Sequence, residues 1–262
     1  MAFLSNFDRI FSWFTDGASK KVLLFNAILT FLLISFLFCL VFHGQVYHWL
    51  SVWEYRDLFI KGWMITVGLS LASLVLSSFI GLICALARRS KILIVRNLAI
   101  FYIEGIRGTP LLVQILFFYY VVANAANIDN RYIVGIVTLS MFSGAYIAEM
   151  IRSGIENISA SQLESAKAIG LTQFQTYRFV IFPQAVRQLL PPLAGQFASL
   201  IKDSSLLSII GINELTNSAQ QVNSATYSTL ESFFPLALGY LMLTLPISLW
   251  SKHLEQKYRY ET

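Results

Sequence analysis

Five runs of 17 to 26 residues in this chain contain no Asp, Glu, Lys or Arg: Val22–Phe42, Gly62–Ala87, Gly108–Ile128, Tyr132–Ala148 and Ser232–Ser251. Roughly 20 apolar residues in a helix cross a bilayer, so each run is a candidate membrane span. The third extends back through Leu98–Ile103 if Glu104 and Arg107 are tolerated. A weaker segment, Leu190–Ile210, is interrupted by Lys202 and Asp203. The expectation is an all-α integral membrane protein with six transmembrane helices.

Composition narrows the alternatives. Charged residues make up 13% of the 262 positions and hydrophobic residues 56%, whereas a soluble domain carries about 25% charge. A disordered chain, a nucleic-acid-binding domain and an ordinary soluble enzyme are excluded. Cys39 and Cys84 both lie in apolar runs, so neither a disulfide framework nor a zinc site is indicated. No G-x-x-x-x-G-K-[S/T] occurs, so the chain has no P-loop of its own. The first run is too long for the apolar region of a signal peptide, and no small-x-small site follows it. It reads as a retained span.

Basic residues orient the spans. With six alternating spans and the N-terminus inside, fourteen Lys and Arg fall on inside segments, against Arg56, Lys61 and Arg131 outside. Both termini are expected in the cytoplasm. Trp49, Trp53, Trp63 and Trp250 stand near span ends, as an aromatic belt does. His43 and His48 read as interfacial, and with only His253 besides, no metal site is indicated. Ser73, Ser77, Gly81 and Ala85 recur at steps of four in the second span, and Ser140, Gly144 and Ala148 in the fourth. Small residues at this spacing let membrane helices approach closely.

The longest inside loop, about Arg152 to Arg187, exceeds a minimal helix–helix turn. Its pattern predicts a helix over Ser161–Ile169, with Leu163, Ala166 and Ile169 on one face, stopped by Gly170 as a C′ glycine. Thr172 caps a second helix, Gln173–Phe182, which Pro183 ends. Such an element docks a partner or lies on the lipid headgroups.

Glu164-Ser165-Ala166, Gly170 after three residues, and Val180-Ile181-Phe182-Pro183 after nine more resemble the E-A-A-x3-G-x9-I-x-L-P signature of ABC importer permeases. Ser165, Val180 and Phe182 depart mildly from it. Three further segments resemble the polar amino-acid subfamily, which handles histidine, glutamine and arginine. They are Tyr102-Ile103-Glu104-Gly105-Ile106-Arg107-Gly108-Thr109-Pro110-Leu111-Leu112-Val113-Gln114, Gly144-Ala145-Tyr146-Ile147-Ala148-Glu149 and Lys202-Asp203-Ser204-Ser205-Leu206. The resemblance orders the chain from Gly62 to Ser251. It implies a five-helix type I core over residues 62–251 with a coupling loop at about 156–183. Residues 1–61, with one extra N-terminal helix, and the tail 252–262 lie outside it.

The resemblance also implies partners: a second permease, identical or paralogous, two ATPase subunits, and a periplasmic or lipid-anchored binding protein that delivers a polar amino acid. The chain would sit multi-pass in a bacterial plasma (inner) membrane, in contact with lipid and not with nucleic acid. It would be no enzyme and would bind no cofactor; ATP and Mg would belong to the ATPase. Glu164, Ser165, Ala166, Gly170 and Pro183 would form the coupling element, with Ala166 presented to the ATPase groove. The first span would be a lipid-facing addition outside the pathway.

Intramembrane charges mark the candidate pathway, since a charge at the bilayer centre costs at least about 2.5–3.5 kcal/mol. Arg107 lies roughly 14 Å beyond Leu98 at 1.5 Å per residue, near the midplane, beside a break expected at Gly108-Thr109-Pro110. A guanidinium there can hold a substrate carboxylate. Glu149 can take the ammonium, although counting sets it closer to the cytoplasm. Alternatively, Arg107 pairs structurally with Glu104, one turn away. Lys202 and Asp203 read as a structural pair or a polar gate. The expected pathway set is therefore Arg107, Glu149, Glu104, Thr109, Lys202 and Asp203. A secondary amino-acid transporter is the rival reading, weakened by the missing inverted repeat.

Overall fold

The computed structural model describes residues 47–258 and, before them, residues 25, 26, 28–33, 35 and 36. The chain divides into two units, Met1–Tyr47 and His48–Thr262. In the first unit the described residues between 25 and 36 are helical. Phe25, Phe31 and Phe36 are exposed on it. The rest of the expected span Val22–Phe42 lies outside the described residues, as do Arg9, Lys20, Lys21 and Arg259.

The second unit is helical wherever it has regular structure. Helix α1 spans Arg56–Arg88, α2 Leu93–Arg107, α3 Leu111–Phe117 and α4 Arg131–Glu156. Then come α5 (Ala160–Ala168), α6 (Gln173–Thr176), α7 (Phe182–Asp203), α8 (Leu215–Thr226) and α9 (Thr229–Tyr258). Three helices among the described residues, α1, α4 and α9, are long and apolar enough to cross a membrane; α2 and α3 form a fourth crossing if the bent pair counts as one. Six spans were expected. The fifth, Leu190–Ile210, is built as the end of α7 followed by a 3₁₀ turn, Ser204–Ile210. Lys202 and Asp203 break its apolar run.

The small-residue stripes form the central contact. Ser73, Ser77, Gly81 and Ala85 of α1 and Ser140, Gly144 and Ala148 of α4 are all buried. A Cβ on Gly81 would stand 2.6 Å from Ile147, and one on Gly144 2.8 Å from Ile80. The Ser140 hydroxyl donates to the Ser73 carbonyl at 3.4 Å. Register rises together along both helices, from Ser73 beside Ile136 to Arg88 beside Glu149, so α1 and α4 are parallel. The chain between them must therefore cross back, and α2 with α3 does so, through a 109° bend.

That bend lies at the expected break. Gly108-Thr109-Pro110 separates α2 from α3, because Pro110 cannot donate a backbone hydrogen bond. The loose backbone is tied by Gln114, whose Nε2 donates to the Ile106 carbonyl at 2.7 Å and the Thr109 carbonyl at 3.1 Å. A broken membrane helix needs such internal partners.

The long loop follows its sequence pattern at its first turn. In α5, Gly170 has φ +79°. The N–H groups of Gly170 and Leu171 donate to the Lys167 and Ala166 carbonyls, the bonding of a Schellman stop. Thr172 and Gln175 cap α6 reciprocally. Two expectations are corrected. Ile169 is 76% exposed, not on the packed face. Pro183 does not end a helix: a π-helical turn at Tyr177–Ile181 leads straight into α7, where Pro183 is the second residue. At a first turn proline loses little, and a widened π turn accommodates the missing donor.

Candidate functional site

Glu149, in the C-terminal part of α4, gathers three arginines. Arg88, the last residue of α1, donates to Oε2 at 2.9 Å. Arg152, one turn along α4, hydrogen-bonds Oε1 and also Glu156. Arg107, the last residue of α2, places Nη1 3.8 Å from Oε2. That is beyond hydrogen-bond distance, so Arg107 is the loosely held member. Its guanidinium lies 5.5 Å from the centre of the Tyr146 ring, a cation–π contact. Its Nε is buried with no hydrogen-bond partner.

Arg107, Tyr146, Glu149 and Arg152 line a cavity of about 480 Å³, together with Gln188 and Pro192 of α7. Three arginines face two carboxylates, Glu149 and Glu156, leaving one positive charge in excess. Chemically, this arrangement can receive a small anionic group at an orphaned donor flanked by an aromatic face.

The structure thus brings together Arg107 and Glu149, which helix counting set at different depths. Glu149 lies about 27 Å along α4 from Arg131 and about 10 Å from Glu156, at 1.5 Å per residue. Arg107 therefore lies level with the C-terminal half of α4, and long side chains close the gap. The Glu104–Arg107 pair does not form: Glu104 is exposed and makes no ion pair among the described residues. Thr109 is part of the helix break, donating to the Gly105 carbonyl and accepting from Gln114. Lys202 is exposed and Asp203 half-buried at the end of α7, with no ion pair between them among the described residues.

In the loop expected to couple, Glu164, Ser165, Gly170 and Pro183 are exposed. Ala166 is 3% exposed, so it faces its own chain rather than a partner. What the loop presents is apolar: Ile169, Phe174, Tyr177, Phe179 and Phe182 are all exposed.

Sequence reasoning missed two features. Arg88 and Arg152 served only as topology markers, although Arg152 sits at the i,i+3 spacing from Glu149 that pairs charges on a helix. Glu214 was not singled out. It is fully buried, caps α8 by accepting from the Thr216 and Asn217 N–H groups, and takes a 2.8 Å hydrogen bond from the Tyr240 hydroxyl. An acid directly before a helix start was the available signal.

Parallel membrane helices, a broken return span and a charged cavity between them define a membrane transport subunit. The model of a family described as binding-protein-dependent transport system inner membrane component matches residues 77–260. The glutamine transport system permease protein GlnP of Escherichia coli (strain K12) is 36% identical over 214 residues, which is 80% of this chain and 97% of that protein. The nopaline transport system permease protein NocM of Agrobacterium fabrum is 37% identical over 193 residues, 70% of this chain and 80% of that one. Among solved structures, a crystal structure of an amino acid ABC transporter with histidines superposes with a TM-score of 0.77 at 35% identity, covering 81% of this chain and all of that one. An inward-facing MetNI methionine ABC transporter superposes at 0.65 with 18% identity, covering 78% and 98%, a likeness of fold alone. The chain belongs to the binding-protein-dependent inner-membrane family: it is a permease component of an ABC importer.

Proposed function

We propose that this permease carries polar amino acids into a bacterial cell through its inner membrane, driven by ATP hydrolysis on partner subunits. Two ATPase subunits, a second permease and an external binding protein complete the assembly. ATP and Mg are bound by the ATPase, and this chain holds no cofactor. Residues 62–251 form the permease domain, and residues 1–61 add a span outside the pathway. Both termini face the cytoplasm.

The observation that carries this reading is Arg107. Its Nε is an orphaned buried donor in a cavity, and its ion pair with Glu149 is long. A guanidinium offers two parallel donors to a carboxylate, so the α-carboxylate of an amino acid fits the vacant edge. Tyr146 limits the space beside it. Glu149 holds the guanidinium and stands within reach of the ammonium group. Lys202 and Asp203 line the outward continuation of the pathway, with Glu104 and Thr109 at the helix break. The loop carrying Glu164, Ser165, Gly170 and Pro183 docks the ATPase, with the exposed aromatic residues supplying the apolar contact. Ala166 acts from within, packing α5 onto its loop.

The test is uptake of labelled glutamine by the reconstituted complex. Arg107→Lys loses the bidentate fork and is expected to reduce uptake at least tenfold, with complex yield unchanged, since a lost charge-assisted bond weakens binding by about 1.5–3 kcal/mol. Glu149→Gln should reduce both, because it also strands Arg88 and leaves Arg152 with Glu156 alone. Full uptake by Arg107→Met would exclude carboxylate binding at this residue.

A further inference from the structure

A second cavity, of about 290 Å³, lies where the end of α1, the start of α2 and the C-terminal part of α4 meet, and Arg152 lines both it and the first cavity. Arg88, Arg89, Arg96 and Arg152 converge on it. Its walls are apolar, formed by Leu86, Ile100, Ile151 and Ile155. We propose that this cavity binds the phosphodiester headgroup of an anionic phospholipid of the inner leaflet.

The charge balance requires an anion. Glu156 is the one acidic residue lining the cavity, and it is hydrogen-bonded to Arg152. Arg88 is committed to Glu149. Arg89 and Arg96 are exposed and pair with no carboxylate among the described residues. The sequence offers them none nearby, because no Asp or Glu occurs between Asp57 and Glu104. With Arg88 and Arg152 held by Glu149 and Glu156, and Arg107 sharing Glu149, the two charges of Arg89 and Arg96 are left over, and a phosphodiester brings one negative charge.

The walls distinguish a lipid from free phosphate. Leu93, Arg96 and Ile100 share one face of α2 by helical spacing, and Leu93 is 66% exposed. Leu86, on α1, is 61% exposed. An acyl chain can therefore run along exposed apolar side chains directly from a cationic cup, which inorganic phosphate does not need. Basic pockets between helices on the cytoplasmic side of a membrane match lipid headgroups in this way.

The complex, purified with its ATPase, is measured by native mass spectrometry after addition of phosphatidylglycerol or phosphatidylcholine. Wild type is expected to retain phosphatidylglycerol in preference to phosphatidylcholine. Arg89→Gln with Arg96→Gln should lower that retention about 30-fold, the loss expected for two cationic contacts at a lipid surface. Arg89→Lys with Arg96→Lys should keep it within a few-fold. Neither arginine pairs with an acid among the described residues, and complex yield is measured beside retention. A second measurement needs no variant: retention by wild type should fall as salt screens the contact. Equal retention of the two lipids, retention unaffected by the Gln pair or by salt, or full displacement by excess inorganic phosphate would each overturn the proposal.

Discussion

Gly81→Ala adds one carbon to α1 at the place where it lies closest to α4. That Cβ would meet Ile147 Cγ2 at 2.6 Å, Ile147 Cβ at 2.7 Å and the Gly144 carbonyl oxygen at 3.0 Å. Carbon pairs rest at about 3.5–4.0 Å, so α1 and α4 must part by about 1 Å. Overpacking of this size costs about 1–3 kcal/mol. Local relief is limited, because the Ile147 Cβ belongs to a buried backbone position and Ile147→Ala would leave it in place. Gly68, on the same helix, is the internal control: a Cβ there meets nothing within 4 Å. Gly68→Ala therefore only reduces unfolded-state entropy and gains about 0.4–1 kcal/mol. Thermal denaturation of the purified complex should order Gly68→Ala at or above wild type and Gly81→Ala clearly below. Gly144→Ala, meeting Ile80 at 2.8 Å, should fall with Gly81→Ala. If the Gly81 and Gly68 variants denatured together, close approach would not be what these glycines provide.

Two further predictions concern the loop and the buried acid. Gly170→Val meets no neighbour, yet must hold φ +79°, which costs about 1–2 kcal/mol. Uptake should fall while the spans stay inserted and ATP hydrolysis continues, and Gly170→Asn should be milder; unchanged uptake by the Val variant would refute a coupling role for this turn. Glu214→Ala deprives the Thr216 and Asn217 N–H groups and the Tyr240 hydroxyl of their acceptor. A lost cap alone costs about 0.5–2 kcal/mol. Glu214→Gln keeps one oxygen and should lose less, so equal denaturation midpoints for the two variants would remove the capping argument.

Elements that depend on local pattern were legible in the sequence. The charge-free run Gly62–Ala87 lies inside α1, Tyr132–Ala148 inside α4 and Ser232–Ser251 inside α9. The helices overrun those limits because residues such as Arg56 and Lys61 continue a helix beyond the apolar stretch. The stripes at Gly81 and Gly144 marked faces fit for close approach, since helical spacing alone puts these residues on one face; that the two faces meet each other came from the structure. What the pattern could not supply was direction after a break. Gly108-Pro110 announces that the helix stops, but the 109° turn depends on Gln114 reaching back to Ile106. Pro183 was misread for a related reason. Whether a proline ends a helix or starts one depends on the turn before it, and here that turn is π-helical.

The site divides along the same line. Arg107 and Glu149 stood out because charges inside apolar segments are costly, which a single sequence reveals. Their partnership spans 42 positions and depended on side-chain reach, which counting along helix axes omits. Arg88 and Arg152 expose a further limit of counting. In a positive-inside tally every span-end arginine is equivalent, so Arg88 and Arg89 have the same weight. The helix separates them by about 100°: both line the second cavity, but Arg88 reaches Glu149 of α4 whereas Arg89 pairs with no acid among the described residues. Adjacent arginines that give one topological signal therefore carry different chemistry, the first held by Glu149 and the second left without an acid among the described residues.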